Sequence, residues 1–217
     1  KRLGDYSIPE QKALIPMLII SPTVINDGRR LYISAQHVSY LIKEFTGVEF
    51  SNSNVDGIDF LNFFKDQNSI NLKFTSALRM SSTFPYVTPN VTLPSTPTME
   101  VMDAGVRDNF GMETSIRFLY VFRDWISQNT GGVILLQIRD TRKILPIEPK
   151  TNETILEKVT NPLSGFYTNW AKFQDYNQDN SLQFASSWFD GDIQVVRFQY
   201  MPAHIDEQAS LSWHLTI

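Results

Sequence analysis

One stretch of forty residues constrains the fold more than any other. Glu100-Val101-Met102 is a short apolar-rich strand, and Asp103-Ala104-Gly105 is a turn. Gly111–Asn129 then carries Ile116, Phe118, Leu119, Tyr120, Val121, Phe122, Trp125 and Ile126, which cover nearly the whole circumference of a helix. Such a helix is expected to be mostly buried. Gly131-Gly132 ends it, and Val133–Ile138 follows without polar alternation, as parallel strands do. The order strand–turn–helix–strand from Met99 to Ile138 predicts a βαβ unit with a right-handed crossover.

The rest of the chain agrees with a mixed α/β fold. Ile15–Ile20 is a short apolar run ended by Ser21-Pro22 and reads as a buried strand. Asn26-Asp27-Gly28 is a turn signal leading into a second strand at Leu31-Tyr32-Ile33. Val38, Leu41, Ile42 and Phe45 recur at helical spacing, which predicts an amphipathic helix over His37–Phe45. Phe50–Gly57 reads as a polar loop, and Asp59 as the cap of a helix carrying Phe60, Leu61, Phe63 and Phe64. Ile70 to Met80 reads as helical, and Phe84 to Thr98, with four prolines, as an extended loop. Leu145–Pro149 is a linker, Asn161–Phe189 is helical in pieces, and Asp192–Tyr200 and Leu211–Leu215 are strands.

Composition narrows the chemistry. The 217 residues suffice for one substantial domain, and 42% hydrophobic content excludes a wholly disordered chain. A net charge of −4 disfavours a nucleic-acid binder that works by phosphate neutralisation. With no cysteine there is no disulfide, thiolate nucleophile or thiolate-bound zinc. His37, His204 and His214 are far apart in sequence and read as structural residues. Trp125, Trp170, Trp188 and Trp213 read as core. No apolar run approaches the about 20 residues of a membrane span. A start at Lys1-Arg2-Leu3 and a finish on a strand at Ile217 suggest part of a longer protein.

Asp103-Ala104-Gly105 is the one Asp-x-Gly triplet in the chain. A carboxylate at a strand end of an open α/β sheet faces the crevice where such sheets bind ligands. The same Asp also suits a plain turn that accepts backbone N–H groups. The wider context separates these readings. Ser76-Ala77-Leu78-Arg79-Met80-Ser81-Ser82-Thr83-Phe84-Pro85-Tyr86-Val87, then Pro89, then Asp103-Ala104-Gly105-Val106-Arg107-Asp108-Asn109-Phe110-Gly111 resembles the second half of the patatin-like phospholipase family. That family has a small-residue helix end, a Phe-Pro loop, a strand, a catalytic Asp in an Asp-Gly-Gly or Asp-Gly-Ala turn, and an Asn shortly after. The likeness is specific from Ala77 to Gly111 and extends more loosely over Pro16 to Arg139.

The resemblance implies an α/β fold with a mostly parallel mixed sheet flanked by helices, incomplete because the N-terminal nucleophile half is absent. Residues 1–142 would be the C-terminal part of the catalytic domain. Residues 143–217 would continue it or form an extension packed on it. It implies a lipid acyl hydrolase that uses a Ser–Asp dyad and no cofactor or metal. Asp103 would be the base, Gly105 and Asn109 would support its turn, and Met80, Phe84 and Tyr86 would form an acyl-chain wall. Core packing is the competing role for each of those three. Asp108 reads as a helix-start charge rather than a catalytic one. Two departures stand out. Ala104 replaces the family's middle Gly, and no Gly-x-Ser-x-Gly elbow occurs in the 217 residues. This chain by itself would therefore be inactive. Its implied partners are a lipid or fatty-acyl ester, a membrane surface touched peripherally, and the nucleophile-bearing half of the same protein or an oligomer that covers the exposed sheet face. Nucleic acid is not among them, and the implied location is cytoplasmic or membrane-peripheral. A catalytically relaxed lipid-binding or scaffold relative, and an unrelated α/β interaction module, are the alternatives.

Overall fold

The computed structural model describes residues 1–42, 56–84, 88–139, 170 and 172–200. The expected linker at 145–149, the strand at 211–215, Tyr86, His204, His214 and Trp213 lie outside them. The chain divides into two compact units, Lys1–Val121 and Phe122–Ile217.

The first unit is built on a hairpin. β1 (Ile19–Ile20) and β2 (Thr23–Val24) pair antiparallel with β3 (Arg30–Ser34) in one continuous register, Ile19 opposite Ser34 and Thr23 opposite Arg30. Pro22 interrupts the two short strands, yet its carbonyl still accepts from Leu31 N–H at 2.9 Å. Gly28 makes the reversal with φ of 77°, a conformation that costs a residue bearing a Cβ. β6 (Met99–Met102) pairs antiparallel with β2 on its far side, and β5 (Val91–Leu93) pairs antiparallel with β6. β4 (Gly57–Asp59) joins the outer edge of β3 and runs parallel to it.

This corrects the expectation of a mostly parallel sheet. In the first unit only the β3–β4 ladder is parallel among the described pairings. The cause is the Asn26-Asp27-Gly28 turn: a connection that short reverses the chain, whereas parallel neighbours need a crossover of a dozen residues or more. The βαβ expectation fails as well. β6 lies in the six-stranded sheet, and β7 (Val133–Arg139) pairs with β8 (Ile193–Gln199) in a separate two-stranded one.

All five residues of β3 are buried, so the sheet is covered on both faces there. Leu31 and Ile33 point into a core with Ile20, Val24, Val101, Ala77 and Met80. Ala77 and Met80 come from α3 (Phe74–Ser81), while Phe60 and Leu61 come from the single turn α2 (Phe60–Phe63). Asp59 caps α2 as expected, accepting from Asn62 N–H at 3.3 Å. The same carboxylate accepts from Val38 N–H and Ser39 Oγ, which fixes a short 3-10 turn over Ser39–Leu41 where a longer helix was expected. On the opposite face Tyr32 packs with Val38 and Leu41, joined by Phe118 of α5 (Met112–Asn129).

α5 has the expected length but is not buried all round: Trp125 is 62% exposed. Trp170 is also exposed, so the tryptophans are not uniformly core. His37 is exposed too, with Nδ1 3.8 Å from Asp59.

In the second unit β7 and β8 run parallel, with Val133 opposite Ile193. Residues 172–185 are helical. The strands show an inverted pattern. Arg139 is buried and holds Asp175 of this helix through two hydrogen bonds of 2.7 Å. Arg197 donates to Gln137 at 3.2 Å. Ile134, Leu136, Ile138 and Phe198, on the alternate positions, are exposed. β7 is thus not a central strand among the described residues. Continuous apolarity hid the fact that its two polar residues, Gln137 and Arg139, share one covered face.

Candidate active site

β6 ends at Met102, and Asp103 is the first residue beyond the sheet. The neighbouring chain fixes its backbone. Asp103 N–H donates to the Thr83 carbonyl at 2.8 Å, and its own carbonyl accepts from Thr23 Oγ1 at 2.9 Å. Ala104 N–H donates to the Ser81 carbonyl at 3.1 Å. The Ser/Thr-rich end of α3 is therefore clamped against the Asp turn. Thr83 is buried, and its hydroxyl satisfies the Arg79 carbonyl at 2.6 Å.

The turn leads straight into α4 (Gly105–Asp108). Ala104 sits at φ −63° and ψ −31°, ordinary right-handed helical values that alanine adopts without strain. Gly105 is the position where an added side chain would force its neighbours to shift. A Cβ there would stand 2.7 Å from Asp103 Oδ1 and 2.6 Å from Asn109 Oδ1. The structure thus brings Asp103, Gly105 and Asn109 together as the sequence suggested.

Asp103 is half-buried, and Gly105 N–H donates to its Oδ1 at 2.6 Å. Among the described residues the carboxylate accepts no other hydrogen bond and makes no ion pair. Burial pushes its pKa up, and the Gly105 hydrogen bond offsets part of that rise. A carboxylate held in direction by one oxygen, with no cation on the other, is equipped to take a proton.

Asp108 has a different occupation. It is buried, and it accepts from Glu113 N–H at 3.2 Å, Thr114 N–H at 2.9 Å and Thr114 Oγ1 at 3.0 Å. These are first-turn donors of α5, so Asp108 closes that helix start. Phe84 is half-buried, with its N–H bonded to Thr88 Oγ1 at 3.0 Å. Met80 is buried and lines a cavity of about 630 Å³ that Asp103 does not line.

A charge cluster beneath the turn was not anticipated. Arg30, 2% exposed, donates to Asp56 at 2.7 Å and pairs with Glu113. Arg117 reaches Asp56 at 3.1 Å and Arg107 reaches it at 3.3 Å. The cluster ties β3, α4 and α5 together. The pairs that meet in it are 26 to 83 positions apart in sequence.

No family model, curated protein or solved structure matches this chain.

Gly105→Ala is expected to displace the Asp103 carboxylate. The ester hydrolysis that the resemblance implies should then fall about tenfold or more in the full-length protein, because small misplacements of a reacting group cost heavily. A crystal structure of the variant should show the Asp103 side chain moved, and an unmoved side chain with full activity would contradict the assignment.

Proposed function

We propose that this chain is the base-bearing half of a patatin-like lipid acyl hydrolase that cleaves carboxylic esters of lipids. The observation that carries the reading is Asp103: at a sheet end, half-buried, fixed by Gly105 N–H and free of any ion pair among the described residues. A serine hydroxyl from polypeptide outside these 217 residues attacks the ester carbonyl, and Asp103 takes its proton. The proton passes to the departing alcohol as the ester C–O bond breaks. Water then cleaves the acyl-enzyme with Asp103 again accepting a proton.

The unstrained backbone of Ala104 is compatible with this reading. The partner in this reading is the polypeptide that supplies the nucleophile. The exposed apolar row of Ile134, Leu136, Ile138 and Phe198 supports a covered face on the second unit. The substrate is a lipid or fatty-acyl ester met at a membrane surface. Among the described residues no helix is long and apolar enough to cross a membrane.

The test is a serine-reactive fluorophosphonate on the full-length protein. The label should appear on a serine outside this chain and block hydrolysis of a p-nitrophenyl ester. A label on a serine within the 217 residues, or hydrolysis unaffected by labelling, would overturn the reading.

A further inference from the structure

The cavity of about 630 Å³ in the first unit has a composition of its own. Its buried floor is Phe60, Phe64, Met80 and Leu93. Its exposed rim carries two arginines, Arg2 and Arg79, and no Asp or Glu lines it. In a chain of net charge −4, a cavity with two cations and no acid is electrostatically distinct. Arg2 is held in place by donating to the Asn71 carbonyl at 2.6 Å, and Arg79 makes no ion pair among the described residues. Arg79 in the last turn of α3 also complements the helix dipole, but that alone does not require an apolar floor beside it.

We propose that this cavity binds a single-chain anionic amphiphile, with a fatty-acid carboxylate at the arginine rim and its aliphatic chain on the Phe60–Phe64–Met80–Leu93 floor. The volume lies in the range of small-molecule sites. An arginine fork matches a carboxylate better than a point charge does. Asp103 does not line the cavity, so the site stands apart from the proposed hydrolysis and does not depend on it.

The experiment is calorimetric titration of the full-length protein with decanoate and with decanol, both below micelle-forming concentrations. Decanoate should bind saturably, and Arg79→Gln should weaken it about tenfold while leaving decanol binding unchanged. Arg79→Lys should recover part of the loss. Asp103→Asn should leave decanoate binding intact, which separates this site from the hydrolase reading. Absence of saturable decanoate binding, or binding indifferent to Arg79→Gln, overturns the proposal.

Discussion

Asp103→Asn in the full-length protein is expected to cut ester hydrolysis by roughly a hundred- to ten-thousand-fold, the usual contribution of a positioned general base. The amide oxygen can still accept the 2.6 Å bond from Gly105 N–H, so the turn itself should survive. The stability effect should have the opposite sign. Burial raises the carboxyl above its ordinary value of 3.8, so the folded state holds this proton more tightly than the unfolded chain. A group of this kind favours the fold most below its unfolded pKa, and that contribution is lost as pH rises through the folded value. At pH 7 the parent therefore carries a desolvated charge that the Asn variant lacks, and the variant should melt at the same temperature or higher. Since the ionised form is the base, hydrolysis by the parent should fail in acid at a pH above that of an ordinary aspartate. Two measurements check this: kcat/KM against pH for the parent, and thermal melting of both proteins. Undiminished hydrolysis by the variant would remove Asp103 from the mechanism. A large fall in melting temperature would mark the carboxylate as structural.

Arg30→Ala should produce the largest loss of stability. Arg30 is buried, and its guanidinium meets Asp56 and Glu113 together. Removing one partner of a buried pair costs about 3–5 kcal/mol, because the remaining charge is left without compensation. Arg107 and Arg117 still reach Asp56, and Glu113 keeps access to water, so the lower end of that range applies. The thermal midpoint of the unit should fall by roughly 10 °C, following the usual scaling for a domain of this size. Arg107→Ala is the control. Its side chain is 40% exposed, and surface pairs contribute about 1 kcal/mol or less. Equal effects of the two substitutions would show that the cluster does not lock the fold in the way the geometry indicates.

The short-range features of the site were legible in the sequence. The Asn26-Asp27-Gly28 turn, the Asp59 cap, the strand before Asp103 and the length of α5 all follow from residues within a few positions of one another. The Asp103–Gly105–Asn109 grouping was equally local, because a turn running into a helix brings residues two to six apart face to face. Two readings of burial failed because apolar runs were read without their partners. Continuous apolarity in β7 and α5 fits a buried parallel strand and a buried helix, yet Trp125, Ile134 and Ile138 are exposed. Hydrophobic pattern reports what a residue would gain by burial, and not which surface arrives to bury it.

By itself the sequence determined that Asp103 begins a turn after a strand. Backbone sterics act over neighbouring residues, so they are written in order along the chain. Tertiary structure alone decided that β6 lies beside β2 and β4 beside β3, that Arg30 and Asp56 meet, and that an apolar floor lies beneath Arg79. Those facts depend on which distant segments share a surface, and that choice is made by packing the whole unit at once.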